Sequence, residues 1–175
     1  MTSNLHSRTQ FILPVLLVAA ATASRLIPHP ANFTAIGAMA LFSGALFRDK
    51  RLAFLLPLVA MMATDLILGF HASMIPVYAC FAITVFIGMK IQNRQSAITV
   101  AAGSLVSSVV FFLVTNLPFW YADMSLYPLT WKGLLESYTA ALPFFGNQLS
   151  GDLFYNAVLF GSCFALSKRS SVAAN

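Results

Sequence analysis

The residue type best suited to chemistry in this sequence is cysteine, and Cys80 is the better placed of the two cysteines. A thiolate is a nucleophile and a metal ligand, but it forms readily only where a cation or a helix dipole lowers the pKa of the thiol. Arg25 or His29 could supply that charge if the fold brings either one close to Cys80. A buried thiol is otherwise a small packing group, so both roles stay open for Cys80. For Cys163, packing is the interpretation we adopt.

Other polar and ionisable residues flank the same apolar segments and could line a shared binding site. They are Arg25, His29, Asn32, Thr34, Asp65, His71, Tyr78 and Asn116. An ion pair between Arg25 and Asp65 is as good an interpretation as contact of either residue with a ligand. The two histidines could ligate a metal or haem, but no ligand spacing supports this, and we predict no independent metal. The motifs of zinc proteases, serine hydrolases and Walker-type ATPases are missing from the sequence.

The composition indicates what kind of fold must position these residues. Of the 175 residues, 59% are hydrophobic and 9% are charged, whereas a soluble domain is about 25% charged. So few charges exclude a soluble enzyme and a disordered chain. The pI near 9.6 comes from a few basic residues rather than from a basic face, which argues against a nucleic-acid binder. Two cysteines make no disulfide framework. The sequence therefore predicts an integral membrane protein of one domain, residues 1–175.

Six apolar segments could cross a bilayer, for which a helix needs about 20 residues. They are 9–27, 33–47, 52–70, 75–91, 97–117 and 149–167. The second is short and glycine-rich, which favours a position inside the bundle. Segment 9–27 also has features of a signal peptide, with Arg8 before it and Ala21-Thr22-Ala23 as a cleavage-like site. Its apolar run continues to Ile27, which favours a retained span. We predict an all-α bundle of six transmembrane helices.

The basic residues predict the orientation of this bundle, because cytoplasmic loops carry the excess of Lys and Arg. With both termini inside, eight of the ten basic residues are cytoplasmic, and only Arg25 and Lys132 are outside. The polar residues named above then lie near the outer surface and indicate a cavity that opens outward. An aromatic belt at the interface would explain part of the same pattern.

Residues 129–142 predict a short amphipathic helix on the outer surface, in the loop between the fifth and sixth spans. A lid over the cavity is the other interpretation of this helix. Asn147 and Asp152 lie close to the expected start of the sixth span, so we interpret them as caps of that helix.

Several motifs across the chain carry a family resemblance. They are the stretch from Arg25 to Phe42, Thr64-Asp65 with Gly69-Phe70-His71, Val77 to Cys80, Phe111 to Asn116, and Ala141 to Phe145. In these motifs the sequence resembles the substrate-binding (S) components of energy-coupling factor vitamin transporters. Within that group it is similar to the BtuM family of solitary cobalamin (vitamin B12) transporters. The resemblance runs from Arg25 to about Ser167.

The resemblance implies an S-component-like bundle that binds cobalamin and takes it up across the bacterial inner membrane. It implies that Cys80 is the axial ligand of the corrin cobalt and that its thiolate assists the loss of cyanide from cyanocobalamin. The polar residues named above would line the pocket. S components dock on a coupling module through small residues, which Ala19 and Ala23 match, although a solitary member could act alone. The alternatives are a membrane-embedded redox or lipid- or quinone-modifying enzyme that uses Cys80, and a structural subunit that binds a partner protein.

Overall fold

The computed structural model describes the backbone of residues 2–71, 73–120 and 126–172, and the side chains of residue 12 and of 14–71, 73–120 and 126–165. In this part of the chain the regular structure is helical and no strand is present. The helices are α1 (Thr2–Ser24), α2 (Ile36–Leu46), α3 (Lys50–Leu68), α4 (Met74–Ile91), α5 (Ala97–Thr115) and α6 (Trp131–Val172). The predicted all-α class is confirmed, and α2 to α5 agree with the predicted segments to within three residues.

Three of these helices, α3, α4 and α5, are long and apolar enough to cross a membrane. Two shorter apolar helical stretches accompany them, Pro14–Ser24 of α1 and the whole of α2. By length and composition the chain is therefore a membrane protein, as the sequence predicts.

The centre of the bundle is α2, the short glycine-rich helix. Nine of its eleven residues are buried, and it packs against α1, α3, α4, α5 and α6. Its closest neighbour is α4, because Gly44 of α2 faces Gly88 of α4. A Cβ atom on Gly44 would overlap the carbonyl oxygen of Val85, and one on Gly88 would overlap that of Leu41. The glycines thus let two backbones approach as small residues do in membrane helix pairs.

Two polar caps fix helix starts on one side of the bundle. The Asp49 side chain accepts a hydrogen bond of 2.8 Å from the N–H of Arg51 at the start of α3. Ser96 and Thr99 form a capping box at the start of α5, which satisfies N–H groups that have no partner inside the helix. Both caps lie at the same end of the bundle. The opposite side, where α1, α3 and α5 end and α2 and α4 begin, is called the Arg25 end.

The largest difference from the sequence prediction is α6, which is one continuous helix of 42 residues. The prediction of a separate short helix over 129–142 is wrong, because helical structure runs through Pro143 into the expected sixth span. Proline inside a helix removes one backbone hydrogen bond, but tertiary contacts hold the first part of α6 in place. Ser137 Oγ donates to the carbonyl of Asn116 at 2.7 Å, and Tyr138 Oη donates to that of Leu113 at 2.7 Å.

The continuity of α6 also corrects the interpretation of Asn147 and Asp152 as caps of the sixth span. Both residues lie in the interior of α6, where the backbone N–H groups already have partners within the helix. Asn147 Nδ2 instead donates to the carbonyl of Ala31 at 3.1 Å. The side chain of Asp152 faces the start of α2, a contact described with the site below.

Candidate functional site

A cavity of about 270 Å³ opens at the Arg25 end of the bundle and is called the Arg25 cavity here. Five of the residues singled out in the sequence line it: Arg25, Asn32, Thr34, His71 and Asn116. Aromatic side chains make up much of the remaining wall, namely Phe81, Phe111, Phe112, Phe144 and Phe145. The cavity therefore combines hydrogen-bonding groups with apolar rings, which is the usual character of a small-molecule site.

The end of α1 is joined to α3 and α4 by a polar network around Asp65. Arg25 Nη1 lies 2.6 Å from Asp65 Oδ1 and also donates to Thr64 Oγ1. Tyr78 Oη donates to the other carboxylate oxygen of Asp65 at 2.8 Å. Asp65 is fully buried, so this pair removes the cost of an isolated charge in an apolar setting. Of the two alternatives for Arg25 and Asp65, the structure contains the ion pair.

Asp65 and Tyr78 are therefore placed behind the cavity wall rather than on it. Neither belongs to the lining residues, whereas Arg25 does. Their role in this arrangement is to neutralise the guanidinium group and hold it at the rim. Arg25 itself lines the cavity, and a guanidinium carries five N–H donors, more than the contacts of Nη1 with Asp65 and Thr64 use.

Cys80 lies beside the cavity but does not line it. Its exposed fraction is 1%, and its thiol is free of any disulfide. Val77 and Phe81 of the same helix both line the cavity, and residues three apart share one side of a helix. Cys80 is thus next to the cavity-facing side of α4. The ring of Phe81 packs on that of Phe111 with 5.6 Å between centroids, and this aromatic pair forms the adjacent wall.

The loop between α1 and α2 brings in Asn32 and Thr34 but leaves His29 outside. Asn32 has a φ of 63°, a left-handed conformation that asparagine adopts more readily than most residues. The loop is closed by a 2.9 Å hydrogen bond from the N–H of Phe33 to the carbonyl of Pro30. His29 is exposed and its Nδ1 lies 3.1 Å from the carbonyl oxygen of Pro30. It is not among the residues that line the cavity.

His71 comes from the short connection between α3 and α4. Its Nδ1 lies 3.0 Å from Ser73 Oγ, and both residues line the cavity. Asn116 ends α5, where its Nδ2 donates to the carbonyl of Phe112 at 2.8 Å. The backbone carbonyl of Asn116 accepts a hydrogen bond from Ser137 Oγ of α6. The two residues therefore come from separate connections that meet at the same opening.

Sequence reasoning missed Gln148 and Asp152 as lining residues. It interpreted Asp152 as a cap near the start of a separate sixth span and gave Gln148 no role. Together with Ala141 and Phe145 they line the cavity from α6. These four residues are separated by four, three and four positions, which is the spacing of one helical face. That stripe is visible in the sequence only when residues 141–152 are treated as one helix.

Asp152 reaches across the cavity floor to the start of α2. Its side chain is buried, with an exposed fraction of 3%. It accepts a hydrogen bond of 2.7 Å from Ser108 Oγ, and the N–H of Ala38 and the side chain of Gln148 also interact with it. Its carboxylate packs so closely on Gly37 that a Cβ atom there would overlap it. Because no side chain at Ala35 caps α2, Asp152 serves as the acidic partner of that helix end.

Comparison with known proteins gives one result. Residues 5–174 match the model of a family described as a family of unknown function (DUF6580). No curated protein and no solved structure matches the chain. The chemistry of the Arg25 cavity is therefore the basis for a functional argument.

Proposed function

We propose that the chain, which belongs to the DUF6580 family, is a substrate-binding transporter of the bacterial inner membrane that carries cobalamin or a related corrinoid. In the orientation predicted from the basic residues, both termini are cytoplasmic and the Arg25 cavity opens outward. The observation that carries the proposal is the position of Cys80. This free thiol lies beside the Arg25 cavity, next to Val77 and Phe81 of its wall.

Cobalt is the reason why a thiol at this position matters. Cobalt accepts sulfur ligands, and the thiol must lose its proton to bind. Exchange of cyanide for the thiolate of Cys80 forms a cobalt–sulfur bond and breaks the cobalt–carbon bond. The cyanide leaves with the thiol proton as hydrogen cyanide, so this exchange needs no reductant. Rotation of the Phe81 ring away from Phe111 would give the thiol access to the ligand.

The polar part of the cavity suits the edge of a corrin ring. That edge carries carboxamide side chains, each of which donates and accepts hydrogen bonds. Asn32, Asn116 and Gln148 line the cavity with the same functional group, and carboxamides pair with each other through one donor and one acceptor. The phenylalanine rings offer apolar surface to the face of the macrocycle.

The volume of the cavity requires it to widen before it holds a corrinoid. About 270 Å³ lies just under the range of roughly 300–1,000 Å³ typical of ligand pockets, and a corrinoid is a large ligand. The first part of α6 supplies Ala141, Phe144 and Phe145 to the wall. We infer that the part of α6 from Trp131 to Phe145, called the lid part below, swings outward to admit the ligand. It contains most of the segment 129–142 that the sequence offers as a lid.

The same volume favours a second candidate function, the binding of a smaller uncharged solute with polar and aromatic parts. Such a solute would fit the cavity without movement of α6. An enzyme that uses Cys80 on a lipid or quinone has less support. Within the described residues no hydrogen bond reaches the Cys80 thiol, and the two histidines contact other groups, His29 the carbonyl of Pro30 and His71 the hydroxyl of Ser73.

The energy source of the transporter is a separate part of the proposal. Ala19 and Ala23 are both exposed on α1, so this small-residue pair is accessible to a coupling subunit, as the S-component resemblance implies. A chain that acts alone would leave the same alanines facing lipid.

The test is to purify the protein, add cyanocobalamin or hydroxocobalamin at micromolar concentration, and record the absorption spectrum of the bound corrin. We expect wild-type protein and Cys163→Ala to shift the cobalt-dependent bands equally. The Cys80→Ala variant, checked for folding by gel filtration, should bind without that shift. No retained corrinoid in the wild type would overturn the proposal. Retention with an identical spectrum in Cys80→Ala would overturn the role of the thiol alone.

A further inference from the structure

The Arg25 cavity contains one acidic group that has no cation beside it. Three ionisable residues line the cavity: Arg25, His71 and Asp152. Arg25 is paired with Asp65, and His71 contacts Ser73. For Asp152, the described ion pairs include none. An ionisable side chain inside a membrane bundle is costly, and where it occurs it commonly belongs to an ion or proton pathway.

The surroundings of Asp152 stabilise its carboxylate by hydrogen bonds rather than by charge. It is packed by α2 and α5, whose sequences contain no ionisable residue. The closest titratable group along α6 is Tyr155, whose ring packs against Phe33 at 5.8 Å. The hydrogen-bond partners of Asp152 are the hydroxyl of Ser108, the side chain of Gln148 and the N–H of Ala38 at the positive end of α2. Both charge states of Asp152 therefore fit the site, because a carboxylate accepts from these donors and a carboxylic acid requires no counter-charge.

Filling of the cavity changes the balance between these two states. In the empty cavity, water can reach the small part of Asp152 that stays exposed at the cavity lining. An uncharged ligand displaces that water, and an ionised carboxylate without a cation then loses solvation that the ligand does not replace. Uptake of one proton removes this cost.

We propose that Asp152 is the proton-binding site of the Arg25 cavity and that it takes up one proton when an uncharged ligand fills the cavity. This inference rests on the proposed function and adds a coupled ion to it. By reciprocity, a proton on Asp152 strengthens ligand binding by the same factor by which the ligand strengthens proton binding. Outside acidity then favours loading of the carrier, and a less acidic cytoplasm favours release. A chain that acts without an ATPase would obtain a driving force in this way.

The first experiment measures the dissociation constant of cyanocobalamin, which has no net charge, between pH 5 and 9. For one coupled proton we expect the constant to rise about tenfold per pH unit over the responsive range. In Asp152→Asn we expect it to vary less than twofold. Glu136→Gln, which removes an exposed acid paired only with Lys132, should keep the wild-type profile. His71→Gln tests the other titratable lining residue outside the described ion pairs, and loss of the slope in this variant would assign the coupled proton to His71 and overturn the proposal.

The second experiment reads the proton on Asp152 without any ligand. On acidification the infrared spectra of both proteins should gain carbonyl bands of protonated carboxyl groups, because the chain has four acidic residues besides Asp152. The wild type should gain one band more than Asp152→Asn, and this additional band is the one that reports on Asp152. If Asp152→Asn does not fold, Ser108→Ala replaces it in both experiments. The Ser108 hydroxyl donates to the ionised carboxylate of Asp152, and its loss favours the protonated acid. The midpoint of the binding profile and of the infrared titration should therefore rise by at least about half a pH unit.

The outcomes separate the two proposals. Binding of cyanocobalamin with a constant that is independent of pH overturns the role of Asp152 and leaves corrinoid binding intact. Absence of corrinoid binding at every pH overturns the proposed function. In that case the infrared band still decides on the proton, and its absence, or its persistence in Asp152→Asn, overturns the proton site as well.

Discussion

Nη1 of Arg25 lies 2.6 Å from Oδ1 of Asp65, and this contact ties the end of α1 to the last turn of α3. Tyr78 completes the arrangement from α4 with a hydrogen bond of 2.8 Å to the same carboxylate. Three helices are therefore joined by one buried carboxylate at the rim of the cavity. The arrangement fixes a cavity-lining guanidinium by means of two residues that never reach the cavity themselves.

Asp65→Asn should be strongly destabilising, because it leaves the guanidinium of Arg25 without its counter-charge. We expect a loss of about 3–5 kcal/mol in the free energy of unfolding, measured by denaturant titration in detergent. Tyr78→Phe removes one neutral hydrogen bond and should cost about 1 kcal/mol. The double variant Arg25→Ala with Asp65→Ala should lose less than the sum of its two single changes. Additive losses would mean that the two side chains do not interact in solution.

Gly88→Ala should destabilise the bundle, because a methyl group there overlaps the carbonyl oxygen of Leu41 in α2. Overpacking of this kind costs about 1–3 kcal/mol. Gly161→Ala is the matched control, since nothing lies within 4 Å of a Cβ at that position. Alanine is the better helix former by about 1 kcal/mol, so the control should be neutral or slightly stabilising in the same titration. Equal effects at both positions would contradict the close crossing of α2 and α4.

The lid part of α6 should loosen when its hydrogen bonds to α5 are removed. Tyr138→Phe deletes the 2.7 Å bond to the carbonyl of Leu113, a loss of about 1 kcal/mol. Hydrogen exchange of the amides in 132–142 should then accelerate about fivefold, since 1.4 kcal/mol corresponds to tenfold. Thr139→Val is the comparison, because Thr139 Oγ1 only contacts the carbonyl of Leu135 within the same helix. Unchanged exchange in Tyr138→Phe would argue that this contact does not hold the lid.

The orientation inferred from the basic residues can be tested with single cysteines in a background of Cys80→Ser and Cys163→Ala. A cysteine introduced at His29 should react with an impermeant thiol reagent added to intact cells whose outer membrane has been made permeable. A cysteine introduced at Arg94 should react only after the inner membrane is broken. The reverse pattern would put the Arg25 cavity on the cytoplasmic side and would contradict uptake from outside.

The sequence predicted the helices whose signals are local and missed the contacts that depend on tertiary packing. The bounds of α2 to α5 follow from apolar runs of the right length, and the central position of α2 follows from its glycines. The amphipathic pattern of 129–142 and the apolar run of 149–167 predict two separate helices, but Ser137 and Tyr138 anchor the first turns of α6 to the end of α5 and the helix continues. This one error concealed the lining face of α6.

For the candidate site, position along the helices brought together five of the eight residues predicted to line a pocket. Arg25, Asn32, Thr34, His71 and Asn116 share one end of the bundle and meet at one cavity. Depth along the helices does not distinguish a side chain that lines a cavity from one that lies behind it. Asp65, Tyr78 and Cys80 are at the correct depth but are rotated away from the opening. Which side of each helix faces the cavity depends on the rotation of that helix about its own axis, and tertiary packing sets this rotation.

The length of α6 has a mechanical consequence. Its 42 residues correspond to about 63 Å, roughly twice the thickness of the hydrocarbon core of a bilayer. A continuous helix of this kind can tilt as one rod about its contacts with α2 and α5. A tilt of about 10° displaces each end by about 5 Å in opposite directions. A ligand that pushes one end of α6 outward would thus move the other end of the same helix, with no intervening relay of side chains.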